Sequence, residues 1–273
     1  MKNRLLQFFL VLVVSLSVGC KSTFEKVRVS NDPELILKEA NKYYQNEEYG
    51  RAQSLYEIII PFYRGKKEAE DLFYKYTYSQ YYQEEYILAA HYFNNFTTSF
   101  YNSPRKEEMA FMAAYSDYQM SPNPKLDQTA SSQAIDKLQQ FINTYPQSER
   151  IEECNKLMDE LRYKLETKSV AEGKLYFDLR NYQSAMTSLQ NTLKDFPETK
   201  SAEEINYLIV RSSEQLAKNS VYEKMQNRLD ETINLSNKFN RKYPRSEYKA
   251  EVQATIDFCK NELKRFINDW YQK

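Results

Sequence analysis

Apolar residues recur along this chain three and four positions apart, and the runs they form end alike. Leu138, Phe141 and Ile142 form one run, Leu189, Leu193 and Phe196 a second, Ile233, Leu235 and Phe239 a third. That spacing places each set on one face of a helix. After each run comes an aromatic residue, a proline, one further residue and a serine or threonine: Tyr145-Pro146-Gln147-Ser148, Phe196-Pro197-Glu198-Thr199, Tyr243-Pro244-Arg245-Ser246. Tyr101-Asn102-Ser103-Pro104 is a variant. Proline removes a helical hydrogen bond and clashes with the preceding turn, so it ends the first helix. The hydroxyl accepts orphan amide hydrogens and caps the next helix. Prolines 104, 146, 197 and 244 stand 42, 51 and 47 residues apart, a period that predicts stacked helix pairs.

Counting from the prolines gives the repeat. Gly173, Tyr176, Ala185, Leu189 and Pro197 fall at offsets 0, 3, 12, 16 and 24, the spacing of a tetratricopeptide repeat, with small residues where two helices touch. The first repeat keeps Ala40, Tyr43, Ala52, Tyr56 and Ile59 around the turn Asn46–Gly50, with its proline, Pro61, three residues early. The second carries Ala89, Phe93 and Phe96. The third carries Ala134, Leu138, Phe141 and Pro146, and its turn is lengthened by Met120–Pro124. The fifth keeps Phe239 and Pro244 and is stretched around Asn219. Between Ser148 and Leu179 stands a single glycine and no proline, which predicts one helix of about 30 residues, or ~45 Å. From Ser246 to about Trp270, the residues Val252, Ile256, Cys259, Leu263 and Phe266 share a face suited to capping the array. The predicted fold is all-α: a right-handed α-solenoid of about five such pairs, with a long central helix and a C-terminal capping helix.

Composition agrees, with 4 glycines, 8 prolines and 28% charged residues in 273. The formal charge is +0, and without Lys2 and Arg4 there are 36 basic against 38 acidic groups. Nucleic-acid binding needs a clustered basic surface, which this balance does not supply. Lys66-Lys67 and Arg241-Lys242 are brief runs that read as solvated faces.

The N-terminus has a basic Met1–Arg4 and an apolar stretch from Leu5 to Val18, shorter than a membrane-spanning helix. It reads as an export signal over residues 1–19. Leu16-Ser17-Val18-Gly19-Cys20 resembles the bacterial lipobox, with Ser17 where that motif usually has leucine. The resemblance implies that Cys20 is acylated and opens the mature chain. No aspartate follows it, which leans toward outer-membrane sorting. Residues 20–32 read as a lipidated tether, and Asp32-Pro33-Glu34 opens the first helix of the array. Repeats one to three then occupy 33–147, and repeats four and five with the capping helix occupy 148–273.

Catalytic and metal-binding patterns are missing. A lone histidine, His91, has no companions at ligand spacing, and there is neither a phosphate loop nor a nucleophile elbow. No cofactor and no enzymatic activity are expected. Cys154 and Cys259 stand at apolar helical positions and read as core thiols. What stands out is 24 tyrosines, many of them early: Tyr43, Tyr44, Tyr49, Tyr74, Tyr76, Tyr78, Tyr81, Tyr82 and Tyr86. Some pack as core. As a group they predict a groove for an extended peptide, because tyrosine joins an apolar body to a polar tip.

The lipobox-like Cys20, five tetratricopeptide-type repeats and the aromatic-Pro-x-Ser/Thr phrase together resemble the BamD family of outer-membrane assembly lipoproteins, over essentially the whole mature chain. The resemblance implies a subunit of the β-barrel assembly machine, held by its lipid at the periplasmic face of the outer membrane. Its N-terminal repeats would contact unfolded outer-membrane proteins and its C-terminal repeats the machine's central barrel subunit. On this chain the substrate groove would involve Tyr43, Tyr44, Tyr78, Tyr81 and Tyr82. The docking face would involve Glu203, Tyr207 and Arg211. The alternative is another lipid-anchored tetratricopeptide adaptor, serving envelope peptidases or division proteins.

Overall fold

The computed structural model describes the backbone of residues 23–271 and the side chains of residues 23–265. The expected signal over 1–19, the acylation candidate Cys20 and the side chain of Phe266 lie outside the described residues. The protein is all-α, a tetratricopeptide-like helical solenoid, with twelve α-helices and no strand among the described residues. The first is α1 (Thr23–Arg28), followed by the pair α2 (Pro33–Gln45) and α3 (Tyr49–Ile59). A short 3-10 helix, Ile60–Tyr63, leads to α4 (Ala69–Tyr82) and α5 (Tyr86–Ser99). Then come α6 (Lys106–Gln119) with α7 (Thr129–Thr144), and α8 (Ile151–Asp178) with α9 (Tyr182–Asp195). The last pair is α10 (Ala202–Lys218) with α11 (Tyr222–Lys242), and α12 (Lys249–Tyr271) follows. The predicted long helix is α8, with 28 residues, ~42 Å at 1.5 Å per residue.

The chain forms two compact units. One runs through Met120 and adds Asp136–Cys154; the other takes Ser121–Ile135 and the chain from Asn155 onward. Within the first, α2 packs on α3, α3 on α4, α4 on α5 and α5 on α6; within the second, α9, α10, α11 and α12 pack in the same serial way. Such nearest-neighbour packing is the mark of a repeat array.

Every second helix buries the same three positions. These are Ala52, Tyr56 and Ile59 on α3, Ala89, Phe93 and Phe96 on α5, and Ala134, Leu138 and Phe141 on α7. Ala185, Leu189 and Thr192 follow on α9, and Thr232, Ser236 and Phe239 on α11. The fifth set corrects the apolar run read from Ile233 and Leu235, which are only partly buried. Burial there goes to Thr232 and Ser236 because their hydroxyls are satisfied locally. Thr232 pairs with Ser213 at 2.7 Å, and Ser236 donates to the Thr232 carbonyl at 2.7 Å.

The turns inside three pairs share a strained residue. Glu47, Glu84 and Arg180 have φ of 61°, 62° and 60°, a left-handed conformation that glycine adopts at least cost. Each is followed five residues later by the buried alanine of its pair: Ala52, Ala89 and Ala185. The amides of Glu48, Glu85 and Asn181 reach back to the carbonyls of Tyr43, Gln80 and Tyr176 at 2.9, 3.1 and 2.9 Å, closing the helix end in the Schellman manner.

Between pairs, the aromatic-Pro phrase has a defined geometry. Tyr145, Phe196 and Tyr243 donate their amides to the carbonyls four residues back, and Ser148, Thr199 and Ser246 donate theirs to those aromatics at 3.0–3.2 Å. Phe196 and Tyr243 have ψ of 70° and 67°, outside the α region that a following proline disfavours. The hydroxyls cap differently from expectation. Ser148, Thr199 and Ser246 accept from the amide two residues on, at 3.1, 3.1 and 3.0 Å. That amide belongs to the residue just before or at the helix start, not to the second or third residue inside. In the variant, Phe100 takes the aromatic role and Ser103 the hydroxyl role, so the equivalent phrase begins one residue before Tyr101.

The tether also departs from expectation, since Thr23–Arg28 is helical. Val27 is buried in the core of the first pair and Phe24 packs against it. Asp32 caps α2 as predicted, accepting from Glu34 and Leu35 at 3.0 and 3.1 Å. Cys154 and Cys259 are buried free thiols. Burial lifts Cys154 to about 11 and Cys259 to about 12.

Two measurements check this packing. A Cβ at Gly173 would stand 2.7 Å from Cγ of the fully buried Leu189. Gly173→Ala therefore lowers stability by about 1–3 kcal/mol in urea unfolding, outweighing the helix-propensity gain of about 1 kcal/mol. Arg180→Gly, relieving the left-handed turn, raises it by about 1 kcal/mol. With the chain native at pH 8, a thiol reagent followed by peptide mapping leaves Cys154 and Cys259 unmodified, and denaturant makes both react.

Candidate functional site

The first helices of the first three repeats, α2, α4 and α6, end in step at Asn46, Gln83 and Met120, 37 residues apart. Neighbouring helices meet through residues 34 apart: Asn41 with Lys75, Tyr74 with Glu108, Tyr81 with Tyr115, and Asp71 with Arg105 just before α6, which brings the tyrosines of these repeats together. Their rings form a connected aromatic face. Tyr44 meets Tyr49 edge-on at 5.6 Å, and Tyr49 stacks on Tyr82 at 4.5 Å. Tyr82 meets Tyr78 at 5.7 Å, and Tyr78 meets Tyr74 at 4.7 Å. Tyr81 contacts both Tyr82 and Tyr115, and Tyr115 stacks on Tyr118 at 5.6 Å.

Of the five predicted groove tyrosines, four join this face. Tyr82 is 46% exposed, whereas Tyr78 is 8% exposed and packs on Phe93. Tyr44 and Tyr81 are half-buried. Tyr43 does not join. One residue along α2 turns it about 100° away, to an edge contact with Phe24 and to the Arg51 guanidinium 5.5 Å from its ring. Tyr49, Tyr74 and Tyr115 also belong to the face, and the 37-residue register makes Tyr115 the counterpart of Tyr78.

The polar groups of the face are spent on one another. Glu108 accepts the hydroxyls of Tyr74 at 2.9 Å and Tyr78 at 2.5 Å. Asp71 pairs with Lys75 at 2.7 Å and Arg105 at 3.2 Å. Burial pushes its carboxyl up, but the two cations outweigh that and hold it below the usual range. Lys75 also donates to Asn41, which accepts from Tyr56 as well. Arg105 lies 4.3 Å from the Tyr74 ring. Burial and then Glu108 lift the Tyr74 hydroxyl to about 12, and the same causes lift Tyr78 further. What the face offers a guest is chiefly ring surface, bordered by the carboxylates of Glu47 near Tyr49 and Glu84 near Tyr86.

In the second unit, Glu203, Tyr207 and Arg211 lie along α10. Tyr207 stacks on Tyr248, the residue just before α12, at 4.1 Å and 13°, and its hydroxyl donates to Glu251 of α12. Glu203 and Glu204 stand in the first turn of α10, and both raise the Tyr248 hydroxyl, behind burial and Glu247. Arg211 is partly exposed, binds the buried Glu214 at 2.6 Å, and its charge also reaches Tyr207. Lys218, at 2.7 Å, and Thr255, at 3.1 Å, complete the partners of that carboxylate. The structure therefore gathers Glu203 and Tyr207 around Tyr248, with Arg211 at the edge of that patch and tied to the buried Glu214.

The family model for YfiO, an outer membrane lipoprotein, matches residues 30–229. The chain belongs to the YfiO family. The match spans both units and takes in the aromatic face and the α10 residues. Comparison with curated proteins gives no match. Among solved structures, the chain is similar to a TPR repeats protein from Bacteroides fragilis, with 13% identity, 85% of this chain and 100% of that one covered, and a TM-score of 0.37. Among the described residues, no helix of this YfiO-family chain is long and apolar enough to cross a membrane, and no group of three or more acidic, histidine or cysteine side chains could hold a metal.

The raised tyrosines give stability a pH limit. Burial and Glu251 lift Tyr207 to about 12, as burial and Glu108 do for Tyr74. An unfolded tyrosine titrates near 10. Above that, the unfolded chain releases protons that the folded one keeps, so their contribution is whole below about pH 10 and is lost as pH rises toward 12. Urea midpoints measured from pH 8 to 12 will fall over that window, and more shallowly in Tyr74→Phe.

Proposed function

We infer that this protein is a lipid-anchored scaffold of the outer-membrane β-barrel assembly machine, held at the periplasmic face through Cys20, and not an enzyme. The observation that carries the reading is the aromatic face of the first unit, in a chain of an outer membrane lipoprotein family. Repeats one to three, over 33–147, take unfolded outer-membrane proteins. Repeats four and five, over 148–273, dock the central barrel subunit.

The physics supports a peptide groove. An extended unfolded chain offers alternating side chains and few fixed charges. A face of half-exposed rings binds such a chain by stacking and apolar contact, with little dependence on sequence. Tyr44, Tyr81 and Tyr82 do the contacting, joined by Tyr49 and Tyr115. Tyr78, largely buried and bonded to Glu108, holds the rings in place. Docking falls to Glu203 and Tyr207 beside Tyr248, with Arg211 at the edge of that patch.

Photo-crosslinking in membranes tests the assignment. A crosslinker at Tyr82 is expected to capture unfolded barrel proteins, and one at Glu203 the central barrel subunit. Tyr82→Ala weakens substrate capture about tenfold, equivalent to ~1.4 kcal/mol. A detergent pull-down that recovers no barrel subunit overturns the reading. Recovery of a peptidase or division protein in its place favours the other adaptor.

A further inference from the structure

A second concavity opens in the first unit, on the side of α4 away from the tyrosines. It is a cleft of about 520 Å³ walled by Ile60, Leu72, Phe73, Tyr92 and Phe100. Ala69, Leu72 and Phe73 face it, roughly half a helical turn from Tyr74, Tyr78 and Tyr82. Arg64 and Gly65 form part of its lining. They belong to the loop Arg64-Gly65-Lys66-Lys67, which follows Pro61-Phe62-Tyr63 of the 3-10 helix. Helix end and loop together combine exposed aromatic surface with clustered cations. Phe62 is 57% exposed, and Arg64, Lys66 and Lys67 are all exposed.

The charges around this loop are uneven. The Lys66 ammonium sits 4.8 Å from the ring of Tyr63. Glu68 follows in the same loop, and with Glu34 and Asp32 it raises the hydroxyl of Tyr63, behind the effect of burial. The next acids of α4 are occupied: Glu70 accepts from Ser103, and Asp71 is held by Lys75 and Arg105. Among the described residues, none of Arg64, Lys66 and Lys67 enters an ion pair. An apolar slot with Arg64 in its lining, Lys66 and Lys67 on the adjoining loop and an exposed phenylalanine beside it matches an amphiphile with an anionic head. Aromatic side chains favour the headgroup level of a membrane, and clustered lysine and arginine favour anionic lipid.

We propose that this cleft binds an anionic phospholipid, with an acyl chain between α4 and α5 and the phosphate on Arg64, Lys66 and Lys67. The site is separate from the aromatic face, so it stands or falls independently of substrate binding there. It would lay the first unit against the lipid surface at a second point beyond the N-terminal anchor.

Native mass spectrometry of the full chain in detergent tests this, with dioleoylphosphatidylglycerol and dioleoylphosphatidylcholine as probes. Phosphatidylglycerol is expected to be retained on the order of a hundredfold more than phosphatidylcholine, given three basic contacts. The triple variant Arg64→Ala, Lys66→Ala, Lys67→Ala removes that preference. Ser99 is exposed and lines the cleft, so Ser99→Trp fills the slot without emptying the core and lowers retention of both lipids at an unchanged melting temperature. Excess inorganic phosphate leaves the adduct in place. Equal retention of the two lipids, an unaffected triple variant, or displacement by phosphate alone overturns the proposal. So does a co-purifying peptide that Ser99→Trp releases, which would make the cleft a peptide site.

Discussion

Close approach of two helix backbones is the constraint from which the rest of this protein follows. Ala52, Ala89 and Ala185 are each fully buried, and each comes five residues after a left-handed turn residue. A larger side chain there would hold the pair apart, and a right-handed turn residue would send the second helix elsewhere. At Gly173 the margin is narrower still, since even one added carbon would collide with Leu189. The strain at Glu47, Glu84 and Arg180 costs on the order of 1 kcal/mol each. It is offset by the three buried positions that the turn brings into register, where a full-sized apolar side chain contributes about 1.5–3 kcal/mol.

Register within a pair becomes geometry between pairs. Because the first helices of the first three repeats stay in a 37-residue register, α2 meets α4 and α4 meets α6 with the same offset of 34 between touching residues. Asn41 can then accept from Lys75, Asp71 can pair with Arg105, and Tyr74 can donate to Glu108. These bonds cross from one repeat to the next. Half-exposed ion pairs contribute little individually. Their effect is to neutralise Asp71 and Lys75 and to engage Glu108 within the face, so tyrosine rings make up most of its surface. The raised hydroxyls of Tyr74 and Tyr78 come from burial first and from the Glu108 carboxylate these bonds bring to them second.

Much of this was legible in the sequence, because backbone punctuation has few physical solutions. The helix boundaries, the long α8 and the buried triads of the first four repeats follow from prolines, small residues and apolar spacing. The misses have physical reasons. Phe100 ends α5 without a following proline, so reading from Pro104 shifted the phrase by one residue. In α11 the buried face passes through Thr232 and Ser236, which an apolar pattern ignores. Tyr43 and Tyr44 are neighbours in sequence, yet a helix sends neighbours about 100° apart, so proximity in the chain placed Tyr43 in the wrong company. The tie from Arg211 to Glu214 did not show along α10, because the bond that Glu214 accepts from Thr255 depends on α12.

The second unit achieves its cohesion by different chemistry from the first. Its last pair buries Thr232, Ser236 and Ser213 where earlier pairs bury alanine and aromatic residues, and it encloses Glu214 among Arg211, Lys218 and Thr255. Such groups gain little net stability over an apolar core, since desolvation opposes each bond. What they impose is alignment: a buried carboxylate with donors from α10 and α12 tolerates only the arrangement in which all its partners are in reach. That alignment sets Tyr207 parallel to Tyr248, with Glu203 beside them. A patch built from two elements keeps its shape only if the helices behind it cannot slide. The polar core of the fifth repeat, costly as burial, supplies that restraint.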